Sequence, residues 1–97
     1  MKHTVKLDQN NTNFPENGTP FSTLGIKSIT ISKCKLNECQ VIVMPVSTDR
    51  LINGVQLTEQ EEPYNLNISN MDFLLFIVEP NNKNTINYTA SFEIEIQ

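Results

Sequence analysis

Between residues 86 and 96 the chain alternates without a break. Ile86, Tyr88, Ala90, Phe92, Ile94 and Ile96 fall on one side; Asn87, Thr89, Ser91, Glu93 and Glu95 fall on the other. Period two sends successive side chains to opposite faces, so this segment predicts a long strand with one wet face. Tyr64, Leu66 and Ile68 alternate with Asn65, Asn67 and Ser69 and predict a second, half-buried strand. Residues 26–32 predict a third, with Ile29 and Ile31 on one face. Two segments, 39–46 and 73–78, are apolar at odd and even positions alike, which predicts central strands of a packed sheet. Pro45 lacks a donor for the ladder and marks an edge position or a bulge. Before residue 25 only residues 4–7 could form a strand.

The connections are polar. Lys33-Cys34-Lys35-Leu36-Asn37-Glu38 reads as a hairpin connection, Thr58-Glu59-Gln60-Glu61-Glu62-Pro63 as an acidic loop, and residues 79–84 as a turn. Asn53-Gly54, between Leu51-Ile52 and Val55-Gln56-Leu57, predicts a hairpin with a type I′ turn, because both residues accept a positive φ. Composition agrees: 13 Asn, 9 Thr, 10 Ile and 6 Val stand against a single Ala. Val, Ile and Thr fit a pleated sheet, Ala favours helices, and Asn favours turns. No stretch shows a helical period with caps. Six or seven strands with short turns predict an all-β chain: one small β-sandwich, jelly-roll or immunoglobulin-like, over residues 26–97. Residues 1–25, rich in Asn, Thr, Pro and Gly, read as an extended N-terminal arm.

With 97 residues, 38% of them hydrophobic, the chain has material for one modest core. The net charge of −4 and the scattered basic residues argue against nucleic-acid binding. No apolar run reaches the roughly 20 residues of a membrane helix, and the start of the chain has no apolar core of a signal peptide. Cys34 and Cys39 could bridge a hairpin base, but without a secretion signal reduced thiols are the default. The single histidine, His3, is far from both in sequence, so no zinc set forms. Glu59, Glu61 and Glu62 could offer oxygens to calcium, although a solvated acidic loop is the commoner meaning. Glu93 and Glu95 read as solubilising charges; Tyr64, Tyr88 and Phe92 read as core. Four Asn-x-Ser/Thr sequons, at Asn10, Asn17, Asn67 and Asn87, are what an Asn- and Thr-rich chain produces by chance. No nucleophile–base pair or catalytic carboxylate pair stands out, so the chain reads as a non-enzyme with no cofactor and no metal.

A run of features from residue 17 to residue 94 resembles small structural proteins of tailed bacteriophages: capsid decoration or auxiliary proteins, head fibres and tail-associated domains. An arm carries Gly18-Thr19-Pro20-Phe21, with Leu24 shortly after. The strands Ile29-Thr30-Ile31 and Val41-Ile42-Val43 follow, the latter preceded by Leu36-Asn37-Glu38 where the pattern often has Asn-Thr-Gly. Then come the Gly-containing loop 53–57, Tyr64-Asn65-Leu66-Asn67-Ile68, Phe73-Leu74-Leu75-Phe76-Ile77 and Ile86-Asn87-Tyr88-Thr89-Ala90. Glu61-Glu62-Pro63 replaces the Pro-Gly-Glu turn of that pattern. The resemblance is one of order and spacing, not of a signature motif.

The resemblance implies a multimeric sandwich on a virion, made in the host cytoplasm. Its expected role is an auxiliary or decoration protein that bridges subunits of a phage capsid. Its partners would be the major capsid protein, other virion subunits or further copies of itself, with neither nucleic acid nor membrane involved. Phe14, Pro15, Pro20 and Phe21 are the expected interface, as a clasp at the end of the arm. On that view, deleting residues 1–22 leaves a folded sandwich that no longer binds particles. A tail, neck or fibre-attachment role is the near alternative. A host- or carbohydrate-binding module is the further one, though the chain lacks the Trp of most sugar platforms.

Overall fold

The computed structural model describes residues 1–15, 20–49, 53–59 and 63–97. Eight strands follow in order: β1 (Lys2–Asp8), β2 (Phe21–Ser22), β3 (Ser28–Asn37), β4 (Cys39–Val46), β5 (Val55–Gln56), β6 (Tyr64–Asn67), β7 (Phe73–Pro80) and β8 (Thr89–Ile96). Among the described residues there is no helix. The strands form two antiparallel four-stranded sheets, ordered β1-β8-β3-β6 and β2-β7-β4-β5.

The pairing is nested. β1 pairs with β8, β2 with β7, β3 with β6, and β4 with β5, like the rungs of one long hairpin. Rolling that hairpin lays β8 against β3 and β7 against β4. An eight-stranded jelly roll results, so the topology decides between the two sandwich forms that the pattern allowed.

Burial follows the alternation. Val5, Leu7, Ile29, Ile31, Ala90, Phe92 and Ile94 of the first sheet face Val41, Val43, Leu74 and Phe76 of the second. Ring contacts tie the sheets together. Phe14 lies 5.5 Å from Phe21, 5.8 Å from His3 and 6.4 Å from Phe76, and Phe76 lies 5.6 Å from Phe92. Such pairs add stabilisation beyond the area they bury.

Several sequence expectations change. Residues 1–25 are not an arm set apart from a sandwich at 26–97. β1 pairs with β8 over seven residues, with Val5 and Leu7 buried, and β2 joins the edge of the second sheet. Residues 4–7 are readable as a strand, but its full length and its place in the sheet are not, because β1 is an edge strand whose outward residues Lys2, Thr4 and Lys6 meet water. Residues 33–37 are not a hairpin connection either. They continue β3, with a bulge at Lys33 (φ 55°), and the chain changes sheets at Glu38 (φ 63°). The bulge puts Ser32 and Lys33 both opposite β8's outer side and turns Cys34 inward. Gly54 has no positive φ, so Asn53-Gly54 does not make the type I′ turn; its partners Leu51 and Ile52 lie outside the described residues. β8 starts at Thr89 rather than at residue 86, and Ile86 is 78% exposed.

Candidate interaction face

Alternation along β4 and β7 divides their side chains between two faces. Val41, Val43 and Pro45, opposite Val78, Phe76 and Leu74, point into the sandwich. The residues between them point out. They form three cross-strand rows, Ile42–Ile77, Met44–Leu75 and Val46–Phe73, all half-buried. None of the six packs against the core cluster. Among the described residues no further strand is layered over them.

The outer face of a sandwich sheet ordinarily alternates to polar residues. The first sheet obeys: its outward rows include Lys2–Glu95–Thr30, Thr4–Glu93–Ser32 and Lys6–Ser91–Lys35. Glu93 Oε1 lies 3.5 Å from Lys33 Nζ and Glu93 Oε2 lies 3.8 Å from Lys2 Nζ. The second sheet departs from that rule. In the strands of the first sheet stand Lys2, Lys6, Asp8, Lys33, Lys35, Glu93 and Glu95. In the strands of the second, Glu79 is the sole charged residue, opposite Gln40 at one end. At the β5 margin the Gly54 backbone lies against the patch. A Cβ built there would meet Ile42 Cγ2 at 2.7 Å and Met44 Cε at 3.4 Å. Only a glycine lets the chain pass this close.

The expected clasp residues are placed differently from the sequence reading. Phe21 is buried, and Phe14 packs on the core between His3, Phe21 and Phe76. Both rings are engaged within the chain. Pro15 and Pro20 are exposed. Asn13 nearby caps the edge of β7, its Oδ1 accepting the Phe76 amide at 3.3 Å. Tyr64 and Tyr88 are half-buried against the core, and the Tyr64 hydroxyl bonds Thr58.

Cys34 and Cys39 are buried, free thiols. Burial raises both pKa values, and for Cys34 the Glu59 carboxylate adds to the rise. The Cys39 thiol donates to the Thr89 carbonyl at 3.2 Å. Glu59 accepts the Leu36 amide on the edge of β3 beyond the reach of β6. The remainder of the proposed acidic cluster, Glu61 and Glu62, lies outside the described residues. An open cavity of about 520 Å³ is lined by Lys6, Asp8, Lys35 and Glu59 around Leu36 and Ala90. Its two cations and two carboxylates balance, and no group of three or more His, Cys, Asp or Glu gathers among the described residues.

The apolar rows were visible in the sequence as segments apolar on both faces. Full burial was the expected meaning. Near absence of charge from the same strands fits a covered face as well as an open one, so the sequence carries no signal that tells them apart. Comparison with protein-family models, with curated proteins and with solved structures finds no match to this chain.

Proposed function

We propose that the protein is a non-enzymatic structural subunit of a virion, of the auxiliary or decoration kind. It joins other subunits through the outer face of its β2-β7-β4-β5 sheet. The observation that carries this reading is the three-row apolar face. A contiguous apolar face on a small protein, over which no further strand lies among the described residues, marks an interaction site. Bare fold does not name a role, since jelly rolls serve capsids, lectins and cupins alike. The resemblance in strand order and spacing to phage structural proteins supplies the setting. Many such contacts repeated over a symmetric lattice would sum to a stable coat.

The test is quantitative mass spectrometry of particles purified from the organism that encodes the chain. Hundreds of copies per particle are expected. A dozen or fewer would move the protein to the neck, tail or a fibre, and absence from particles would overturn the virion reading.

A further inference from the structure

We infer that the partner on this face is a second copy of the chain, held by a two-fold contact between the β2-β7-β4-β5 sheets. The inference rests on the reading of that face as an interface. It adds the occupant.

A two-fold interface uses the same patch on both copies, so the patch must complement itself. A charged patch fails that requirement and a neutral apolar one meets it. Each copy carries a net charge of −4, yet Ile42, Met44, Val46, Phe73, Leu75 and Ile77 contribute none of it. The acidic partners on the strands sit elsewhere, Asp8, Glu93 and Glu95 on the other sheet. A basic heterologous partner would need acidic charge across the contact; the strands of this face supply only Glu79, and Asp49 and Asp72 lie beyond its Val46–Phe73 end.

Glu79 also selects the geometry. A two-fold axis parallel to the strands would bring Glu79 against its own copy. An axis in the contact plane and across the strands brings the Ile42–Ile77 row onto the partner's Val46–Phe73 row. The Met44–Leu75 row then meets itself at the centre. The two Glu79 side chains stand at opposite ends, separated by more than a Debye length of about 10 Å at 0.1 M salt.

Area limits the affinity. β4 and β7 contribute eight residues each and β2 and β5 two each. With strands about 4.8 Å apart and a rise of about 3.4 Å per residue, the face is roughly 300 Å² per copy in projection. That is well below the roughly 800 Å² of a standard interface, so the contact suits a weak, reversible dimer.

Sedimentation of the full chain over a wide concentration range tests the proposal. It is paired with NMR dilution of the same unmodified protein. A monomer–dimer equilibrium is expected, with concentration-dependent shifts of the Ile42, Met44, Leu75 and Ile77 methyl signals. Added salt should leave the dimer unchanged or strengthen it, because it screens two like net charges. The double variant Leu75→Thr/Ile77→Thr should weaken dimerisation at least about tenfold. Thr4→Lys on the opposite sheet should not. A chain that stays monomeric at every concentration overturns the inference. So do shifts confined to the other sheet, or a dimer that salt dissolves. A monomer that is nevertheless found in particles removes the dimer and leaves the virion role standing. A dimer absent from particles does the reverse.

Discussion

Phe14 shows how far one residue's role depends on what lies behind it. In a segment full of Asn and Pro, an aromatic ring reads as a clasp offered to a neighbour. In the folded chain it fills the gap between His3, Phe21 and Phe76 at the open side of the sandwich. Phe14→Ala is therefore expected to cost stability. A fully buried Phe→Ala change costs about 3–5 kcal/mol, so the half-buried Phe14 should cost about 2 kcal/mol. Urea unfolding at constant m-value measures it. Unchanged stability would return Phe14 to the surface. Cys34 belongs to the same scale. Its thiol pKa is raised, chiefly by burial and further by Glu59, so the folded state holds the proton more tightly than the unfolded chain. The stabilisation is complete below the ordinary thiol pKa of about 8.5 and fades as pH rises through the higher folded value. Stability should accordingly fall in alkaline solution, and fall less in Cys34→Ala. Equal losses in both proteins would assign the alkaline fall to other groups.

At the scale of elements, removal of residues 1–22 is the sharpest case. The deletion takes β1 off β8, removes Phe14 and Phe21 from the aromatic cluster and uncovers the edge of β7. It is expected to abolish cooperative unfolding rather than to leave a folded, binding-deficient sandwich; a sharp near-UV melting transition in the truncated chain would contradict this. The strands with an unbroken apolar pattern were legible. β4 begins and ends where the apolar run does, and β6 keeps the alternation of Tyr64 and Leu66. Elements whose pairing is distant were harder to read. Nothing near residue 5 announces a partner near residue 92, and the bulge at Lys33 shifts the alternation so that β3 looks finished at Ser32. The candidate face was half legible. Ile42, Met44, Leu75 and Ile77 stood out as apolar, but periodicity cannot say whether a sheet's second face is covered by more protein or left open.

For the whole molecule, the two sheets divide the labour. One turns charge and hydroxyls to water; the other turns aliphatic side chains outward, and particle copy number and sedimentation ask what meets them. The nested pairing carries a consequence of its own for biosynthesis. Lys2 leaves the ribosome long before its partner Glu95, which follows only when almost the whole domain has been made. Until then β1 has no ladder, and the apolar rows of β4 emerge before β7 can lie beside them. The outermost pair of the hairpin is therefore the last that can close. Such non-local pairing is slow, with domains of this kind folding in about milliseconds to seconds. During that interval the nascent chain presents unpaired edges and apolar side chains together, the combination on which chaperones act.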